Sequence, residues 1–230
     1  MMTIAALREK YAVVYRILNE TYGLPVWTST GSPLDVLVGT ILSQATSDIN
    51  SGRAMTELTT HYPDWESVMH APPEEISDVI RSAGLANVKG PRIRNALRHI
   101  YRERGELSLD FLAGMPTAEA MDWLTSIEGV GPKTASIVLL FSMGRDAFPV
   151  DTHVHRVSGR LGLIPPRMSA EKAHAFLAEL GAPETYYPIH INLIRHGREI
   201  CHARGPLCHI CPLKDWCDYY HQVVLPSVDS

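Results

Sequence analysis

The chain reads as an all-α protein, and three observations predict this. Apolar residues recur at helical spacing along most of its length, no segment sustains a two-residue alternation, and prolines stand repeatedly where a helix would begin. With 230 residues, 45% hydrophobic and 20% charged, there is enough apolar material for one large core or two small ones.

The first helix follows from Leu7, Tyr11, Val14, Tyr15 and Leu18, and the second from Leu34, Leu37, Val38, Ile41 and Leu42. Ile93, Leu97, Ile100 and Tyr101 mark another, as do Ile137, Leu140 and Phe141. Ser32-Pro33, Met115-Pro116, Gly131-Pro132 and Ala182-Pro183 place proline at a first helical position, where the missing N–H has no intrahelical partner to lose. About ten short helices with brief connections are expected. Glycine and proline, 16 of each, are spread rather than clustered, so any domain boundary is compact.

Between a helix ending near Ile127 and one starting at Pro132 lies the turn Gly129-Val130-Gly131. Its glycines permit positive φ and close approach of a ligand, and the N–H groups at the second helix's start offer a seat for phosphate. Lys133 sits in the first turn of that helix, where the positive end of the dipole disfavours an ammonium and favours a nucleophilic neutral amine. An ordinary αα turn followed by a solvated surface lysine accounts for these residues equally well when they are taken alone. Asp151 follows the extended stretch Phe148-Pro149-Val150 and precedes Val154, Val157 and Leu161, which places it as a helix N-cap. Such a carboxylate stays ionised, ready to stabilise a cationic sugar or to accept a proton, although capping by itself explains an Asp in this place.

All four cysteines lie between Cys201 and Cys217, spaced Cys-x6-Cys-x2-Cys-x5-Cys. Disulfides fit poorly with such crowding in a chain lacking a secretory signal. Cys201, Cys208, Cys211 and Cys217 could surround one zinc or one four-iron four-sulfur cluster, and the isolated outer pair suits the larger cubane better.

The net charge of −4 gives no general attraction to nucleic acid or anionic membrane. Residues 89–104 nevertheless carry Lys89, Arg92, Arg94, Arg98, Arg102 and Arg104 against Glu103 alone, a local +5 that a solvated helix face would also produce. No apolar run reaches the roughly 20 residues of a bilayer span, so a cytoplasmic, nucleoid-associated protein with no membrane partner is expected.

Taken jointly, Gly129 to Ala135, Val150-Asp151-Thr152-His153 with Arg156, His196-Gly197-Arg198 and the cysteine loop resemble the endonuclease III family, helix-hairpin-helix DNA glycosylases with a glycine-proline-aspartate signature. The likeness runs from about Leu34 to Cys217, and the 6-2-5 cysteine spacing matches that family's cluster motif in full. It implies two helical lobes. One is a six-helix block with the hairpin, residues 33–144, and the other is an iron–sulfur lobe built from 1–32 and 145–230. Lys133 and Asp151 would face each other across a cleft for duplex DNA.

The resemblance further implies a monomeric bifunctional glycosylase and AP lyase acting on oxidised pyrimidines in damaged double-stranded DNA. Lys133 would be its Schiff-base lysine, Asp151 its catalytic aspartate, and one four-iron four-sulfur cluster its cofactor. Gly129, Val130 and Gly131 would contact DNA. Gln44 would fill the gap of a flipped nucleotide and Leu85 would wedge into the stack. Two departures bear on lesion preference. Ala45, not Gln44, stands in ungapped register with the inserting glutamine of the best-known bacterial members, and Pro132 replaces a basic residue. A sister glycosylase for mismatched thymine or uracil and a non-catalytic DNA-binding module are the alternatives. The adenine-removing branch fits poorly, since Lys133 is present and only Asp218 to Ser230 follow the last cysteine.

Overall fold

A computed structural model describes residues 2–228, and among them there is no strand. The helices are α1 (Ile4–Tyr22), α2 (Pro33–Ser43), α3 (Asp48–His61), α4 (Trp65–His70), α5 (Pro73–Val79), α6 (Ala86–Arg104), α7 (Thr117–Thr125), α8 (Pro132–Ile137), α9 (Thr152–Leu161), α10 (Ala170–Leu180), α11 (Tyr186–Glu199) and α12 (Leu225–Val228). They form two compact units. One is Thr28–Gly144, and the other joins the chain up to Trp27 with the chain from Arg145 onward. The first unit begins a little before Pro33 because the Thr30 N–H donates to the Phe141 carbonyl at 3.2 Å, tying the connector to it.

In the unit Thr28–Gly144, α2 is the central element. Ser32 and Asp35 close a capping box at its start, and Leu34, Leu37, Val38, Ile41 and Leu42 are all buried. Burying each such side chain contributes about 1.5–3 kcal/mol, so truncating Leu37 to alanine should cost about 2–5 kcal/mol. The chain after α3 is cut by Pro72 and Pro73, and this break makes α4 and α5 separate short helices. The described unit therefore runs from α2 to α8, with α4 and α5 as its two short members.

Helix α6 buries Ile93, Leu97 and Ile100, while Tyr101 is exposed near its end. It lies so close to α5 that a Cβ at Gly90 would stand 2.9 Å from the Pro73 carbonyl oxygen. Helix α8 continues through a single π turn, Val138–Ser142, in which the Ser142 hydroxyl donates back to the Val138 carbonyl.

In the other unit α1 buries Leu7, Tyr11, Val14 and Leu18, one stripe at helical spacing. Polar contacts fix its position. Lys10, with a side chain 7% exposed, pairs with Asp218 at 2.7 Å. The Asn192 amide on α11 donates to the Asn19 side chain at 2.9 Å and to the Gly23 carbonyl at 3.0 Å. Helix α9 buries Val154, Val157 and Leu161, as their spacing predicts.

Candidate active site

The turn between α7 and α8 depends on its two glycines in different ways. Gly129 has φ +81°, and a Cβ there would stand 3.0 Å from the Arg92 side chain, so glycine is needed for both conformation and fit. Gly131 has φ −98°, which any residue adopts, so the expected positive φ is found at Gly129 only. What Gly131 offers is room: it is exposed, and no atom lies within 4 Å of where its Cβ would be. Val130 between them is buried and anchors the turn. No side chain caps α8 at Gly131 and its first turn holds no acidic residue, so the positive end of the helix is left uncompensated by carboxylates of its own. Lys133, half-buried, is the second residue of α8.

Two loops of the same unit carry the other expected DNA contacts. Gln44 ends α2; its side-chain oxygen accepts from Arg92 at 3.1 Å and its amide donates to the Gly129 carbonyl at 3.5 Å. The glutamine is thus held against the hairpin, and Ala45, with φ +52°, is the exposed residue of the turn. Leu85 is 60% exposed at φ +50°, so it is not the core-facing leucine that a loop position also allows.

The basic segment is less available to solvent than its charge indicates. Lys89 is 1% exposed and donates to the Leu42 and Ala83 carbonyls at 2.7 and 2.8 Å. Arg98 donates to the Met69 carbonyl at 3.3 Å and Arg102 pairs with Glu103.

In the other unit Asp151 is the N-cap of α9, accepting the Val154 N–H at 2.7 Å. Histidines from two helices fix the backbone that leads to it. His174 Nδ1 donates to the Phe148 carbonyl at 2.8 Å, and buried His190 Nδ1 donates to the Pro149 carbonyl at 3.0 Å. Neither histidine carries a motif signal in the sequence. Arg156 donates to the Gly197 carbonyl at 2.9 Å and to the Cys201 carbonyl at 3.0 Å, and a Cβ at Gly197 would stand 2.9 Å from His153 Nδ1. The Val150–His153 and His196–Arg198 motifs are therefore in contact.

The cysteine loop leaves the end of α11 and returns to α9. Arg160 donates to Cys201 Sγ at 3.3 Å and to the carbonyls of His202 and Ala203, and Cys217 Sγ donates to the Arg160 carbonyl. His196, buried and pushed down to about 4, stands between the Tyr22 hydroxyl at 3.0 Å and Cys211 Sγ at 3.6 Å.

Residues 38–183 match the family model of HhH-GPD superfamily base excision DNA repair proteins, and residues 201–217 match that of the iron–sulfur binding domain of endonuclease III. The chain belongs to the HhH-GPD superfamily. Its relatives within that superfamily include the endonuclease III of Thermotoga maritima, 35% identical over 83% of this chain and 84% of that one. The endonuclease III of Sulfolobus acidocaldarius is 32% identical over 93% of each chain. An Arabidopsis thaliana relative, 38% identical, is longer; the match spans 59% of it. Among solved structures, a non-covalent endonuclease III–DNA complex superposes with a TM-score of 0.81 at 26% identity, over 98% of this chain and 100% of that one. The activity that goes with this membership is that of a base-excision DNA glycosylase.

The residues of this HhH-GPD protein fit the four-iron four-sulfur cluster that the second match brings. Its four cysteines are free thiols. Burial, and then the proximity of Cys217, Cys201 and Cys208, pushes the Cys211 thiol up to about 11. A cationic iron core would stabilise the four sulfurs as thiolates, and Arg160 adds a donor to the Cys201 sulfur. Among the described residues no helix is long and apolar enough to cross a membrane.

Proposed function

We propose that the protein is a bifunctional DNA glycosylase and AP lyase acting on oxidised pyrimidines in duplex DNA. The observation that carries this reading is Lys133, the second residue of α8, directly behind the exposed Gly131 of the Gly129–Val130–Gly131 turn.

In the proposed reaction the Nζ lone pair of Lys133 bonds to C1′ of a nucleotide turned out of the stack. The C1′–base bond breaks and the base leaves with its electron pair, taking up a proton. Asp151 stabilises the positive charge that develops on the sugar. Opening of the sugar ring, with proton uptake at its oxygen, leaves an imine on Lys133. The imine acidifies C2′; loss of that proton expels the 3′ phosphate and cuts the strand. Gly129, Val130 and Gly131 would present backbone to phosphate beside this site. Leu85 would enter the stack, and Gln44 would let go of Arg92 to fill the vacated place. Cys201, Cys208, Cys211 and Cys217 would hold the cluster, which would support the cysteine loop where Arg160 joins it to α9.

The test is a panel of duplexes, each with one oxidised pyrimidine, one uracil or one G·T mismatch, developed with and without alkali. Strand cleavage without alkali on the oxidised pyrimidine is expected. Excision of thymine or uracil alone would reassign the protein to the mismatch-specific sister class, and binding without excision on any duplex would make it a non-catalytic module.

A further inference from the structure

Lys89 is among the largest fully buried side chains of the described protein, and both acceptors recorded for its ammonium are main-chain carbonyls. A methionine or leucine would fill the same space without removing a charge from water, so the lysine points to a need that packing does not meet. Its two acceptors define that need. Leu42 lies in the last turn of α2, just before Gln44 and Ala45, and Ala83 closes the 3-10 turn Arg81–Ala83, just before Leu85. These are carbonyls at the ends of helical segments, where intrahelical donors run out.

The ammonium thus draws to one point the bases of two separate loops. Past these carbonyls each loop holds a non-glycine residue in the left-handed region, Ala45 at φ +52° behind Ser43 and Gln44, and Leu85 at φ +50° behind Gly84 at φ +66°. Residues other than glycine adopt that conformation only where their surroundings enforce it. On the same helix, Arg92 donates to the Gln44 side chain at 3.1 Å.

We propose that Lys89 is a positioning residue: its buried ammonium clamps the Gln44–Ala45 turn and the Leu85 turn at a fixed separation, so that both enter a DNA duplex as one unit. The proposal rests on the duplex-inserting role given above to these two loops. It explains why a lysine that raises the positive charge of α6 is withheld from solvent. It also separates two roles within the basic segment, an internal clamp at Lys89 and, at Arg92, a contact that Gln44 leaves when it inserts.

The test uses the full chain with its cluster and compares wild type with Lys89→Met, which matches the side chain's reach but donates nothing, and Lys89→Arg. The probe is a duplex with a tetrahydrofuran abasic-site analogue opposite 2-aminopurine; anisotropy reads binding and 2-aminopurine fluorescence reads unstacking. In parallel, borohydride trapping on a single-stranded abasic oligonucleotide reads chemistry that requires no insertion. The ratio of duplex unstacking to single-strand trapping should fall on the order of tenfold in Lys89→Met, and Lys89→Arg should restore part of it. An unchanged ratio, from equal loss in both arms or from no loss in either, would overturn the clamp. Should Lys89→Met fail to fold, Lys89→Gln, whose shorter amide cannot span both carbonyls, is read against the same two outcomes. A wild type that binds the duplex without a fluorescence rise would instead remove the insertion reading on which the clamp depends.

Discussion

The Asp151 carboxylate accepts the Val154 N–H at 2.7 Å, so the residue proposed to stabilise charge on the sugar is also the N-cap of α9. The two roles separate by substitution. Asp151→Asn keeps an oxygen for the cap but loses the charge. It should melt close to wild type while single-turnover excision falls about 10²–10⁴-fold. Asp151→Ala loses both and should be destabilised by a further ~1 kcal/mol. Thermal unfolding and alkali-developed excision assays distinguish the two, and normal turnover in Asp151→Asn would leave this residue as a cap alone.

Arg160 links α9 to the cysteine loop through a sulfur and two carbonyls. Removing it strips one donor from Cys201 and leaves the His202 and Ala203 carbonyls without their cation. Arg160→Ala should therefore lose its cluster to a chelator faster, with an apparent affinity lower by about 10–100-fold. Bleaching of the cluster's visible absorbance under chelator measures this, and a bleaching rate equal to wild type would show that the arginine serves the loop backbone only.

The Glu57 carboxyl is held below its usual value, first by the Ser82 hydroxyl and then by Arg53. Because the folded-state value is lowered, the unfolded chain binds more protons as pH falls, and the contribution of Glu57 is lost in acid. That contribution is fully present above the unfolded value of 4.5 and disappears as pH falls through the lowered one. The difference in melting temperature between wild type and Glu57→Gln should thus shrink as pH is lowered from about 6 to below 4.5. A difference that stays constant over that range would contradict the assignment.

Much of the site was legible because it is written in local chemistry. Proline at 132 marks the start of α8 and so places Lys133 in a first turn, and an aspartate followed by Val154, Val157 and Leu161 reads directly as a cap. The cysteine spacing needs no tertiary information. What stayed hidden depends on contacts distant in sequence. Lys89 and Arg92 count as two more charges of a basic helix face until Leu42 and Ala83 are brought to the first and Gln44 to the second. His174 and His190 lie far along the chain from the backbone they hold. The positive φ of Ala45 and Leu85 is equally invisible, since neither residue type favours it. Tyr101 fits the helical stripe of α6 but lies in the helix's last turns, where the core has ended.

Attack of the Lys133 amine on the sugar is the step on which the proposed reaction turns. Borohydride reduction of the protein on a duplex with a single abasic site measures this most directly. Wild type should give one covalent adduct that migrates as a protein–DNA conjugate, Lys133→Ala should give none, and peptide mapping of the wild-type adduct should find the modification at Lys133. Absence of an adduct from wild type, or an undiminished adduct in Lys133→Ala, would contradict the account.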